Sequence, residues 1–250
     1  MPEGDTVFRA ARRLDAALTG KTLTGCDIRV PRYATVNLTG KTVDETVSRG
    51  KHLLTRIDKV SIHTHLKMEG VWHVYEPGQR WRRPGFTARI ILSTDSAVAV
   101  GFSLGKVEVL PRTGESKVVG HLGPDLLGPD WDAEEAVRRL KQDPLRPIGI
   151  ALLDQRNLAG IGNVFRSEAC FLAGVDPRVP VGEVADLPAL VETARTILTD
   201  GAYNPPRREV VYGRSNRPCP RCGHGIRSGI LGDGTDPERK IYFCPNCLSN

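Results

Sequence analysis

Val7, Ala11, Leu14 and Leu18 recur three or four residues apart, the spacing of one helix face. Gly4 or Asp5 can cap the start of that helix and Gly20 its end. Arg9, Arg12 and Arg13 lie off the apolar stripe. From residue 22 to about residue 110 the pattern shortens. The segments TLTGCDIRV, TVDETV, HLLTRID, SIHTHL, GVWHVY, TARIIL, AVAVGF and KVEVL are parted by clusters of Gly, Asp, Pro or Ser. Short strands at such regular spacing predict a sandwich or barrel. Beyond Gly123 helical spacing returns. GPDLLGPD reads as a turn-rich linker, and Asp132 can cap a helix through AEEAVRRLKQ that Asp143-Pro144 stops. Pro147 suits the first turn of a second helix, IGIALLDQ. A third runs from Asn163 to Ala173, closed by Gly174, and a fourth, LPALVETARTILTD, is capped by Asp186 and closed by Gly201. Residues 202–217 form a linker rich in Pro and Arg, and residues 218–250 are too few to build a core without a staple. No internal repeat is visible.

The 250 residues allow one large domain or two to three small ones. Apolar content of 40% and charged content of 26% exclude a disordered or collagen-like chain. No apolar run approaches the ~20 residues of a membrane helix, and MPEGDTVFRAARR has no apolar stretch of the kind that makes a secretory signal. A cytoplasmic protein, without a membrane, is therefore expected. The net charge of +6 favours an anionic partner such as nucleic acid. Its distribution is uneven: residues 1–60 carry 11 basic and 7 acidic groups, residues 121–200 carry 8 and 13, and residues 201–250 carry 8 and 4. Two basic surfaces joined by an acidic helical piece fit these values.

Five features carry candidate chemistry. Cys219 and Cys222, then Cys244 and Cys247 after 21 intervening residues, form two CxxC pairs. Each pair puts two thiolates on one tight turn, and together they form a tetrahedral sulfur cage for one structural Zn²⁺. A redox pair or disulfides are the alternatives, but no export signal or thioredoxin-like surround accompanies them. Cys26 and Cys170 stand apart in apolar surroundings. Pro2 follows the initiator Met1, whose removal would leave a secondary amine. An α-amino group ionises near 7.7–8.0, well below lysine, and a free amine can attack a sugar C1′ to form an iminium. Glu3 beside it is placed for general acid–base work, or simply caps a helix. In LAGIGNVFRSE, Gly160 and Gly162 precede a helix beginning at Asn163, with Arg166 one turn on. That is a phosphate site at a helix N-terminus or a tight turn between packed helices. Lys51 sits on a turn between two strands, and Arg239 lies between the two cysteine pairs. Each can meet phosphate or merely solvate a hairpin.

Together these features resemble the formamidopyrimidine-DNA glycosylase/endonuclease VIII (Fpg/Nei) family. The resemblance runs the length of the chain: MPEG at the start, RGKHLL at 49–54, HLKMEG at 65–70, LGPDLL at 122–127, LLDQRNLAGIGNVFRSEA at 152–169, VYGRSNRPCPRCG at 211–223 and RKIYFCPNC at 239–247. It implies an α+β fold in two lobes. A helix and β-sandwich (1–120) form one lobe, and a helix–two-turn–helix bundle (121–205) with a zinc ribbon (206–250) forms the other, with damaged DNA bound in a basic cleft. It further implies that Pro2 is the nucleophile at C1′, Glu3 the general acid–base at the sugar, and Lys51 a proton donor for β-elimination and a phosphate ligand. Arg239 would bind phosphate and assist δ-elimination, and Asn163 would bind phosphate. Lys67 and His121 would touch DNA, and Met68 would fill the space left by the extruded lesion; Arg166, by its charge one turn past Asn163, is a further candidate DNA contact. A monomer suffices for this scheme, and binding should weaken steeply with salt.

Several positions depart from the family pattern. The stretch Val100–Gly105 has no arginine, and Leu104 sits where Fpg-type members have Phe. Only about ten residues separate the last helix from Val211, too few for the flap that closes over an oxidised purine. Lys67 and His121 stand where endonuclease VIII has a Gln and an Arg that touch DNA, Thr6 where many family members have Glu, and Leu248 where the family often has Gln after the last cysteine. Oxidised pyrimidines are therefore the expected substrates. The alternatives are oxidised purines (formamidopyrimidine, 8-oxoguanine) or a non-catalytic damaged-DNA-binding protein on the same scaffold. A zinc-ribbon transcription factor leaves the N-terminal half unexplained.

Overall fold

The computed structural model describes residues 2–234 and 238–248. Met1, whose loss the sequence reading requires, lies outside them. The chain divides into two compact units, one of Pro2 with residues 6–121 and one of Glu3–Asp5 with the residues from 122 onward.

The first unit is a helix on two four-stranded antiparallel sheets. Helix α1 spans Gly4–Leu18, and its predicted stripe of Val7, Ala11, Leu14 and Leu18 is buried. The first sheet has the order β1-β6-β7-β5, from Gly25–Ile28, Ala88–Ser93, Val98–Phe102 and Val71–Tyr75. The second has the order β2-β3-β4-β8, from Val43–Arg49, His52–Ile57, Val60–His65 and Lys106–Pro111. Alternation sorts the side chains. Ile90 and Leu92 enter the main core with α1, Leu53, Ile57, Ile62 and Val107, whereas Ile91 faces a smaller cluster with Tyr75, Val100 and Phe102. All eight expected strands form, the first of them shorter than TLTGCDIRV. A four-residue helix α2, Ser116–Val119, has no counterpart in the sequence reading.

The second unit contains α3 (Ala133–Leu140), α4 (Ile148–Ala151), α5 (Asn163–Ala173), α6 (Leu187–Tyr203) and the hairpin of β9 (Arg227–Leu231) and β10 (Arg239–Phe243). Asp132 caps α3 by accepting from Glu135 N at 3.0 Å, and Asp186 caps α6 through Ala189 N at 2.9 Å. Two expected helix ends are corrected. The helix predicted through IGIALLDQ stops at Ala151, because Asn157 Nδ2 takes the Ala151 carbonyl at 2.9 Å and Asp154 turns the chain by accepting from Arg156 N at 3.0 Å. Gly201 does not close α6, which runs on to Tyr203. Its role is packing: a methyl group there would lie 2.9 Å from Phe165 Cζ of α5. A separate small cluster of Phe171, Val211, Ile226, Cys219 and Cys244 seats the cysteine turns against the end of α5. No helix among the described residues is long and apolar enough to cross a membrane.

Candidate functional site

Glu3 is 0% exposed. Its carboxylate accepts the backbone N–H groups of Gly162 at 3.0 Å, Val164 at 2.8 Å and Phe165 at 3.2 Å. These lie at the N-terminus of α5, where helix amides lack internal partners and the dipole end is positive. The two possibilities left open for the glycines are thereby resolved. The amides do not await a phosphate, because the chain's own carboxylate occupies them. A methyl group on Gly162 would lie 2.5 Å from Glu3 Cδ, and one on Gly4 would lie 2.9 Å from Gly160 Cα. Gly160 adopts φ +107°, and its carbonyl accepts Gly4 N at 2.8 Å. The glycines thus admit the N-terminal segment. Pro2 is half-buried, and Asp5 is buried with Arg207 Nε 3.6 Å from its carboxylate.

Asn163 is half-buried at the start of α5. Its Nδ2 donates to the Lys240 carbonyl at 3.0 Å, and its Oδ1 accepts from Arg166 Nη2. The expectation that Arg166 touches DNA is corrected. Its side chain is fully buried and donates to the carbonyls of Gly149 at 3.2 Å and Lys240 at 3.1 Å. Burial lowers its ionisation to about 10. One turn after Asn163, it faces inward and ties α5 to β10. Arg239 is the exposed first residue of β10, opposite Leu231.

Lys51 occupies the two-residue turn Gly50-Lys51 between β2 and β3 and is half-buried. Beyond that turn, one sheet face carries a histidine cluster that sequence reasoning missed. His63 Nδ1 lies 3.0 Å from Glu108 Oε2, and His63 Nε2 lies 2.8 Å from His52 Nδ1. If Glu108 accepts from His63, His52 must donate to His63, which leaves His52 Nε2 an acceptor. His65 and His121 meet His52 edge-on at 5.1 and 6.4 Å. His65 Nδ1 accepts Lys67 N at 2.9 Å. Burial first, then the neighbouring rings and Lys106, push His52 down to about 3. Burial, then Lys67 and Lys51, push His65 down to about 4. The visible signal was His-x-His on a half-buried strand, with a third His beside Lys51.

Lys67 and His121 are exposed, Lys67 at φ +57°. Met68 is 66% exposed, so it is no core methionine, whereas Leu104 is only 3% exposed. Leu104 packs beneath its turn, where a methyl group on Gly101 would strike it at 2.5 Å. It therefore offers no surface wedge.

The sulfurs of Cys219, Cys222, Cys244 and Cys247 all lie within 4.8 Å of one another. Separations of 3.7 Å (Cys219–Cys247), 3.5 Å (Cys222–Cys244) and 3.6 Å (Cys222–Cys247) approach the ~3.8 Å edge of a tetrahedron with metal–sulfur bonds of about 2.3 Å. The set could hold one metal ion with no open position. Cys170 is buried, which pushes its thiol up to about 12.

Residues 1–103 match the formamidopyrimidine-DNA glycosylase N-terminal domain, and residues 122–202 match the formamidopyrimidine-DNA glycosylase H2TH domain. The chain is 53% identical to a probable endonuclease 8 2 of Streptomyces coelicolor, over 99% of this chain and 94% of the relative. The chain belongs to the Fpg/Nei family. Another Fpg/Nei relative, named DNA-(apurinic or apyrimidinic site) lyase Nei2, from Mycolicibacterium smegmatis, is 48% identical over 99% of this chain and 98% of its own. Among solved structures, the Fpg/Nei fold recurs in Lactococcus lactis formamidopyrimidine-DNA glycosylase bound to DNA containing an abasic site (TM-score 0.84, 21% identity, all of both chains). It recurs also in MutM with DNA containing carbocyclic 8-oxo-G (TM-score 0.83, 21% identity, all of both chains).

Two outcomes follow from this geometry. Gly162→Ala should displace Glu3 and lower the stability of the second unit by several kcal/mol, about the cost of leaving buried N–H groups unpaired. Urea denaturation with hydrogen exchange at the α5 amides checks this. The histidines predict an acid-sensitive first unit. The unfolded rings take protons below about pH 6.5, while folded His65 and His52 stay neutral to about 4 and 3. Their stabilisation is complete above pH 6.5 and is lost as the pH falls toward 4. Thermal midpoints between pH 7.5 and pH 5 should therefore drop, and His52→Gln should flatten the slope.

Proposed function

We propose that this chain is a base-excision DNA glycosylase with abasic-site lyase activity, which removes oxidised pyrimidines through a Schiff base on Pro2. Family membership and the names of the relatives support the reaction class. The observation that carries the assignment to Pro2 is the anchored chain start. N-terminal residues ordinarily fray, yet three amide bonds to Glu3 and one from Gly4 hold this one. A nucleophile gains most from such fixed placement.

In this scheme the Pro2 amine, free once Met1 is removed, attacks C1′ as the N-glycosidic bond breaks, and the base leaves with a proton. Glu3 serves as the acid–base group at the sugar while it holds α5. The resulting iminium acidifies C2′–H. Loss of that proton expels the 3′-phosphate, a second elimination expels the 5′-phosphate, and water releases the sugar fragment from Pro2. Lys51 and Arg239 bind phosphate and assist the two eliminations. Asn163, whose Nδ2 holds the Lys240 carbonyl and donates to the Tyr212 side chain, serves as a phosphate ligand by exchanging one of these partners. Lys67 and His121 contact the backbone, and Met68 enters the space vacated by the lesion. Extrusion costs a few kcal/mol. The short segment before Val211 supports pyrimidine over purine lesions. A monomer supplies every group, and the substrate is chromosomal DNA inside the cell.

Zn²⁺ is the metal assigned to the four cysteines, because thiolates in a closed tetrahedral set suit it. It would act only as a staple for the hairpin of β9 and β10. One equivalent of zinc per chain is expected by elemental analysis. Chelation should abolish protection of the β9 and β10 amides while leaving those of β6 and β7 protected.

Borohydride added to the protein with a duplex carrying one abasic site tests the chemistry. A covalent adduct mapping to the N-terminal peptide is expected for the wild type and absent for Pro2→Thr. No adduct from protein shown by mass to lack Met1 would favour the damage-binding alternative. Glu3→Gln should be read with its denaturation curve, since an amide cannot accept all three N–H groups.

A further inference from the structure

The connection between β5 and β6 carries Arg80, Arg82 and Arg83 in QRWRRPGFT over residues 79–87, Arg89 follows at the start of β6, and no acidic residue lies between Glu76 and Asp95. Phe86 at its end is 88% exposed, and Arg82 and Arg83 are exposed beside it. The backbone here is held firmly. Trp81 packs edge-on to Phe102, with ring centroids 5.7 Å apart, and Tyr75 OH accepts Arg82 N at 3.1 Å. Arg29 Nη1 donates to the Gly85 carbonyl at 3.0 Å, and Thr87 N donates to the Pro84 carbonyl at 3.0 Å. A well-anchored turn thus presents a large apolar ring to solvent, where its burial by a partner would be favourable.

The neighbours of that turn indicate the partner. The Thr87 carbonyl accepts Ser103 N at 2.8 Å, which ties it to the turn after β7. In that turn, Gly105 lies under the Lys67 side chain, where a methyl group would strike Lys67 Cγ at 2.2 Å. Phe86, the Ser103–Gly105 turn and the Lys67-Met68 tip therefore form one continuous edge of the first unit. Two exposed apolar side chains, Phe86 and Met68, stand on it among cationic ones. Arg82, Arg83 and Arg13 of α1 all lower the His73 ring, after burial, so their charges converge on one region. An exposed aromatic ring within an arginine-rich segment suits a strand whose bases stack on the ring while its phosphates meet the guanidinium groups. A base inside an intact duplex has both faces covered by its neighbours, so only an unpaired base gains from the ring.

We infer that Phe86 is a stacking platform for an unpaired base of DNA, with Arg82 and Arg83 binding the flanking phosphates. This rests on the DNA-repair reading above and adds to it a preference for DNA that is locally unpaired. Fluorescence anisotropy on three labelled probes of equal length tests it: a fully paired duplex, the same duplex with a central run of unpaired thymines, and a single strand. Phe86→Ala should weaken binding to the two unpaired probes by about 5- to 150-fold and change duplex binding by less than about twofold. Phe86→Trp should restore it. Arg82→Ser with Arg83→Ser should weaken all three and lower the slope of log K against log salt by up to about 2. Because Phe86 is exposed, its loss should leave the far-UV spectrum unchanged. Unaltered binding of the unpaired probes by Phe86→Ala would overturn the inference, as would equal losses on paired and unpaired probes. If those results came with intact borohydride trapping, the platform alone would fall. Wild-type protein that binds no probe in a salt-dependent way would remove the DNA reading itself.

Discussion

A single buried carboxylate organises the second unit. Glu3 accepts three backbone amides at the start of α5, one on one carboxyl oxygen and two on the other. The interaction joins residues about 160 apart in the chain, and it needs three glycines to occur. Gly162 leaves room for the carboxylate, Gly160 takes a backbone conformation closed to most residues, and Gly4 lets the two strands of chain touch. The cost of ordering the chain start is offset because the helix would otherwise leave buried donors unpaired.

The same helix is tied along its whole length. Arg166 reaches the carbonyls of α4 and β10. Glu168, also buried, accepts the amides of Val210, Val211 and Tyr212 at 3.0, 3.0 and 2.7 Å. Burial pushes its carboxyl above the ordinary value, against the pull of those amides. At the C-terminal end, Arg221 donates to the Phe171 and Leu172 carbonyls and lies over the Phe171 ring. An anion thus sits at the positive end of α5 and a cation at the negative end, the arrangement the helix dipole favours. The segments bearing Glu3, Asn163, Arg239 and the cysteine turns are all fastened to this one rod.

The first unit solves a different problem. One sheet face carries apolar side chains into the core, and the other carries a ladder of charged and imidazole groups. Along it, Arg56 bridges Glu45 and Glu115 at 2.7 and 2.6 Å, and Glu108, His63 and His52 continue the row toward the Lys51 turn. A polar face of this kind stays ordered only if each buried group is paired. The low ionisation of the histidines keeps the region from gathering still more positive charge beside Lys51, Lys67 and Lys106.

Local pattern determined a large part of this protein. The α1 stripe, the eight strands, the Asp132 and Asp186 caps and the two CxxC turns each depend on residues a few positions apart, so periodicity and turn chemistry reveal them. The family was legible for the same reason, since its motifs are contiguous runs. What tertiary structure alone decided involves groups distant in sequence. Glu3 spans the chain to cap a helix it does not precede, and Gly201 yields to Phe165 rather than ending α6. Arg166 turns inward to carbonyls of two other elements. Leu104 is buried while Phe86, on a different connection, stands in solvent. A one-dimensional pattern records which groups need partners. Only packing, which sets burial and the distance between remote residues, decides which partners they receive.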